Sequence, residues 1–362
     1  NLNSGAEYVT RIFTWCENRA DRVPFANSGD VGIDGLSAPN SFIICSANQL
    51  NQIGLDNLQY KDKFFKLGDD LDMAPISGTA YNRIGSGADP FAGTFDGDNH
   101  TINNLSYSDV NEDYVAMFFA IDTGAVIKNL NINNLNFVGR DYVAGLVADA
   151  GSGVEINSVS VSGNLQGNDY VAGFAGSGGV YIVNSHGNVN INATGSYLAI
   201  MVGEITWEYI GPWPAGSTSS GRIDGTGVSG WYVGGAIGAN WGTDLDGFTN
   251  YADIITNTGY NYVGGIVGEN FGDDNWGTVG LQNHGDVSGG NGTGGIAGSQ
   301  AGWDTRRHGN TGNITGTVRV GGIFGSYGNI VILEDAYNQG NVTGTQWVGG
   351  IVGDWGPLAG GR

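Results

Sequence analysis

Lysine is nearly missing from this chain. Four occur in 362 residues, at Lys61, Lys63, Lys66 and Lys128, and Lys and Arg together number 14 against 35 Asp and Glu, a formal net charge of −21. Phosphate backbones are held by clustered Lys and Arg, so nucleic acid is disfavoured as a partner, and anionic membrane surfaces are disfavoured for the same reason. No apolar run approaches the ~18 residues that a spanning helix needs. Histidine is also scarce, with His100, His186, His284 and His308 far apart, so a zinc site, which needs three or four converging ligands, has little to draw on. Charged residues make up only 14% against an ordinary ~25%.

Cysteine is limited to Cys16 and Cys45, and the first residue is Asn1 rather than Met. The expected compartment is therefore extracellular or cell-surface, after signal-peptide removal. Two free thiols are one reading of the cysteines. In a secreted chain a disulfide closing about 30 residues is the expected one, worth roughly 3–4 kcal/mol.

What is abundant is glycine, at 66 residues, more than double the usual ~7% and without a collagen period. The glycines belong to a repeat. "YVAMFFA" at Tyr114, "YVAGLVA" at Tyr142, "YVAGFAG" at Tyr170 and "YLAIMVG" at Tyr197 are followed by "YVGGAIG" at Tyr232 and "YVGGIVG" at Tyr262. "GTGGIAG" at Gly292, "RVGGIFG" at Arg319 and "WVGGIVG" at Trp347 complete nine copies about 28 residues apart. A second phrase falls between them, as in "NYADI" at Asn250, "NHGDV" at Asn283, "NTGNI" at Asn310 and "NQGNV" at Asn338.

Short Val/Ile-rich runs bracketed by Gly and Asn read as strands. In "VIKNLNINNLNFVG" apolar residues alternate at Leu130 and Ile132, then slip register to Leu135 and Phe137, the period of a half-buried strand. A repeat this small buries a face only by stacking on its neighbours. The expected fold is all-β, a β-solenoid of about nine ~28-residue repeats. Within each coil Val and Ile point inward, Asn forms a side-chain ladder at a corner, and the Tyr column stacks. Residues 1–90 are expected to form an N-terminal cap, and 91–362 the repeats. The cap carries a short helix at "SANQLNQIGL", where Ser46 and Gln49 have capping-box spacing ahead of Leu50 and Ile53. "RIFTWCENRAD" reads as a second helical stretch.

"FIICSANQLNQIG", "KFFKLGDDLDM" and "NRIGSGADPFAGTFDGDNHTINNLSYS" resemble the opening of secreted bacterial GLUG-repeat proteins, and the "YVGGIVG" copies resemble the GLUG motif itself. The resemblance spans roughly residues 40–354 and implies a secreted or surface-attached β-solenoid, with no single activity. The module also occurs beside IgA-protease-type metallopeptidases, whose His-Glu-x-x-His zinc site is missing from this sequence.

Candidate sites follow. Asp69, Asp70, Asp72, Asp96, Asp98, Asp244 and Asp246 cluster as oxygen ligands do in structural Ca²⁺ sites; Asp and Gly in turns explain the clusters equally well. No other cofactor is expected. Trp207, Trp213, Trp241, Trp276, Trp303 and Trp355 recur in the variable half of successive repeats, which should project from one edge. They are candidate contact residues, either burying themselves or presenting an aromatic edge to a partner. The expected function is an extracellular structural or adhesive surface protein without enzymatic activity, self-associating head to tail into filaments through solenoid ends or the Trp edge. The alternatives are a monomeric carbohydrate-binding module using that edge, or a polysaccharide-active enzyme.

Overall fold

A computed structural model describes residues 41–206, 216–271, 277–301, 304–328 and 332–356. The second helical stretch expected near Cys16 lies outside them. The described chain is a parallel β-solenoid of about nine turns. Every strand pairs in parallel with its counterpart in the next coil, beginning with Ser41–Ile44 on Phe64–Leu67 and ending with Phe324–Gly328 on Val352–Trp355. Among the described residues the turns therefore wind as coils and not as hairpins.

The pairing is in register, so one inward position in each coil lies over the same position in the next. One such file runs Tyr107, Phe137, Leu165, Ile191, Ile223, Ile254, Val287, Ile314, Val342. All but Val342 are buried. Strand His186–Ala193 shows the pattern most clearly, with strict exposed–buried alternation, as period two requires. The register slip at Leu135 is a bulge. Asn133 and Asn134 are both exposed, Asn134 has φ 55, and the pairing with Val147–Gly167 skips a residue there.

The first helix, α1 (Ala47–Ile53), starts as the spacing predicts. Ser46 is its N-cap and accepts from the backbone N–H of Gln49. Gln49 Oε1 reaches back to the N–H of Cys45 at 2.7 Å, and Leu50 and Ile53 are buried. A second short helix, α2 (Asn57–Tyr60), follows. Residues 41–90 thus hold two helices together with strands that already join the ladder through Thr94–Asp96. Cys45 is disulfide-bonded; its expected partner, Cys16, lies outside the described residues.

Each coil turns through two left-handed corners. The first is the leading residue of every repeat core, from Tyr114 (φ 59) through Gly292 (φ 73) to Trp347 (φ 49). The second is a file of Asn99, Asn129, Ser158, Asn184, Gly216, Gly247, Gly280, Arg307 and Asp335, all at positive φ. Asn and Gly tolerate this region and explain most of the second file.

The glycine after each Val-Gly has a different purpose. The amides of Asn250, Asn283, Asn310 and Asn338 form a ladder, with each Nδ2 donating to the next Oδ1 at 2.8, 2.7 and 2.7 Å. Each Nδ2 also donates to a carbonyl two residues on. A Cβ on Gly265 would lie 2.4 Å from Asn283 Cγ and 2.2 Å from the Gly295 carbonyl. The two phrases of the repeat are thus one packing unit, an amide ladder seated on glycine.

Candidate functional site

The most ordered side-chain array borders the first corner. Tyr114, Tyr142, Tyr170 and Tyr197 stack with centroids 4.6, 4.4 and 4.4 Å apart and planes within 8°. The stack loosens at Tyr232 and Tyr262, at 5.0 and 6.0 Å. A bulky residue at a left-handed corner costs about 1–2 kcal/mol, and an aromatic pair returns about 0.5–1.5 kcal/mol beyond its burial, so stacking offsets the strain. Face-to-face stacking also closes the ring faces, and burial raises the phenol pKa values of Tyr142 and Tyr197. At Gly292 the rung is absent, and Tyr262 leans into the place: an added Cβ there would sit 2.8 Å from Tyr262 Cδ1. Arg319 then lies over the Trp347 ring at 5.3 Å and bonds Asp354 at 3.0 Å.

Seven residues beyond each corner a second file runs beside the tyrosines: Asp149, Ser177, Glu204, Ala239, Glu269, Ser299, Ser326, Asp354. Glu204 accepts from Ser177 Oγ at 3.2 Å and from Trp241 Nε1 at 3.2 Å. Its carboxyl is pushed up by burial, against those two hydrogen bonds. Burial raises Glu269 further, to about 7, against hydrogen bonds from Ser299 and Tyr232. The Tyr232 phenol is pushed up to about 12 by burial and then by the charge of Glu269.

His308 is the opposite case. It is fully buried, with Nε2 3.1 Å from Thr278 Oγ1 and Nδ1 accepting from the N–H of Leu281, and burial lowers it to about 4. The signs oppose. Folded Glu269 holds its proton more tightly than the unfolded chain, so its contribution is full below about 4.5 and is lost as pH rises to about 7. Folded His308 binds its proton more weakly, so its contribution is full above about 6.5 and is lost as pH falls to about 4. Between these limits the two partly cancel. Glu269→Gln should raise stability at pH 8 by about 1–2 kcal/mol, discounted for the half-exposed position. The gain should vanish near pH 4, as read from melting temperatures across pH.

Of the six tryptophans expected at one edge, Trp207, Trp213, Trp276 and Trp303 lie outside the described residues. Trp241 is half-buried, its indole stacked on Phe271 at 3.5 Å. Trp355 is exposed and leans on Tyr327 at 4.8 Å. The indoles that face solvent beside the Tyr file are Trp231, 44% exposed and 5.4 Å from Tyr262, and Trp347, 56% exposed.

Asp70, Asp72, Asp96 and Asp98, considered for calcium, are engaged between coils. Asp70 accepts from the Thr101 N–H and faces His100, Asp72 accepts from Asn104 Nδ2, and Asp96 and Asp98 pair with Lys128 and Lys66. Asp69 accepts from the Asp70 N–H. Asp246 is half-buried and raised by burial and then by Asp244. Among the described residues no three His, Cys, Asp or Glu converge as metal ligands. The acid file beside the tyrosines was not anticipated, although its offset of seven from each corner from Tyr142 onward is a signal in the sequence.

Fold and files together define a repeat protein of the parallel β-solenoid class. No family model matches the chain. A stretch of 103 residues is 32% identical to halomucin of Haloquadratum walsbyi, covering 26% of this chain and 1% of that protein's length. A candidate immunoglobulin A1 protease from Bacteroides ovatus superposes over 87% of this chain and 85% of that one, with TM-score 0.49 and 18% identity. Likeness at that level carries nothing about activity. No helix among the described residues is long and apolar enough to cross a membrane.

Proposed function

We propose that the protein is an extracellular structural and adhesive surface protein of the GLUG-repeat kind, a stiff rod that presents one aromatic edge to a partner. The observation that carries this is the continuity of the side-chain files along a parallel ladder from Ser41 to Trp355. The disulfide at Cys45 supports an oxidising compartment, and the halomucin-like stretch is compatible with a surface role. Adhesion falls to the exposed indoles Trp231 and Trp347. Glu204 has an oxygen on each of Ser177 and Trp241, which counts against its pairing with Glu269 in hydrolysis, so the reading is non-catalytic. Self-association is part of the proposal, with the exposed Trp231 on the aromatic edge as its candidate contact.

Adhesion is tested on a glycan and matrix-protein array with the wild type and Trp231→Ala/Trp347→Ala. A bound target lost in the double variant supports the reading. No target, or one bound equally by the variant, overturns the adhesive half. Electron microscopy over a range of concentrations decides between filaments and discrete particles, and Glu269→Gln in a polymer-turnover assay checks the non-catalytic reading.

A further inference from the structure

A second file of polar side chains runs Asn240, Asn270, Gln300, Tyr327, each in register with the next on successive coils. All four are buried. The file begins like the ladder at Asn250. Asn240 Nδ2 donates to Asn270 Oδ1 at 2.8 Å and to the Thr243 carbonyl at 2.7 Å. At the next rung the ladder stops. Asn270 Nδ2 and Gln300 Oε1 are a buried donor and a buried acceptor on facing positions of adjacent coils, and neither has a hydrogen-bond partner in the protein.

Residue type explains the break. Asn follows Asn at the first rung, but Gln is longer by one methylene, and its amide turns so that Nε2 donates to the Ala301 carbonyl at 3.0 Å. Its Oε1 is left without the donor below it. Buried polar groups that the protein does not pair are the usual hosts of internal water. The interior beside them is itself polar. Tyr327 Oη lies 2.8 Å from Thr305 Oγ1, Thr305 is in register with Thr278, and Thr278 Oγ1 lies 3.1 Å from His308 Nε2. All of these are buried.

We propose that a single water molecule is held between Asn270 and Gln300, accepting from Nδ2 and donating to Oε1, and splices the amide file where the direct bond fails. A free donor beside a free acceptor selects a ligand that does both. A halide would leave Oε1 unpaired, a cation would leave Nδ2 unpaired, and either would bring a bare charge among buried amides. Water also has the reach, since two hydrogen bonds span about 5.5 Å against a coil spacing of about 4.8 Å. The site does not depend on the adhesive role of the aromatic edge.

A high-resolution crystal structure tests this directly. It should show one ordered water within hydrogen-bond distance of both Asn270 Nδ2 and Gln300 Oε1. Gln300→Asn should lose that water, form the direct bond from Asn270, and leave the melting temperature unchanged or raised. A second readout needs no variant. In solution the side-chain NH₂ protons of Asn270 should show a water NOE with the sign of a long-lived contact, and those of Asn250, whose donors are filled by protein, should show none. A direct bond between Asn270 and Gln300 in the wild type, an ion in that position, side-chain contact without solvent, or equal water NOEs at Asn250 and Asn270 would overturn the proposal. So would a water that persists unchanged in Gln300→Asn.

Discussion

Gly265→Ala should cost about 3–5 kcal/mol of stability. The added methyl would lie 2.2 Å from the Gly295 carbonyl and 2.4 Å from Asn283 Cγ. The first is backbone of the next coil, fixed by its own ladder, and cannot yield without moving everything beyond it. The second is a buried amide with three short hydrogen bonds. Overpacking a close-packed interior costs about 1–3 kcal/mol, and displacing the amide adds the desolvation of groups left unpaired. Gly87→Ala is the control. Nothing lies within 4 Å of that Cβ, and the change should be neutral or slightly stabilising. Denaturant unfolding of both variants checks the pair; a Gly265→Ala cost below about 1 kcal/mol would mean that the coils are not packed this closely.

Asn283→Ala should cost about 3–4 kcal/mol. The substitution removes the donor to Gly285 O and to Asn310 Oδ1, and the acceptor for Asn250 Nδ2. All three amides are buried, so water cannot replace the bonds cheaply, and each group left unpaired costs about 1–3 kcal/mol. Asn250 keeps its bond to Ala252 O, which limits the damage on that side. The exposed Asn188, whose side chain bonds none of the described residues, should lose less than about 0.5 kcal/mol on replacement by Ala. Gly265 and Asn283 touch, so their effects should not add. The double variant should cost less than the sum, with rescue incomplete because the Gly295 carbonyl still blocks the methyl.

Much of this was legible before any coordinates. The stacked tyrosines, the Asn ladder, the register slip after Ile132 and the Ser46 cap follow from period and residue type; the left-handed backbone at the leading Tyr of each repeat does not, because residue type argues against it there. The partner of the second glycine in Val-Gly-Gly was not legible, because the asparagine it meets comes later in the chain, Asn283 for Gly265 and Asn310 for Gly295, and only coil-on-coil register brings each pair together. The file of Glu204 and Glu269 was hidden differently. Acids are numerous here, and a raised carboxyl pKa depends on burial beside Tyr232 rather than on spacing. Trp241 looked like an edge residue by position, yet Phe271 covers its ring and Glu204 takes its N–H.

The central claim is that successive coils are locked by buried amides in register. The direct measurement is hydrogen exchange of the Asn side-chain NH₂ groups by NMR. The account predicts that the Nδ2 protons of Asn250, Asn283 and Asn310 exchange orders of magnitude more slowly than those of exposed Asn188. Exchange of all four at the same fast rate would contradict it.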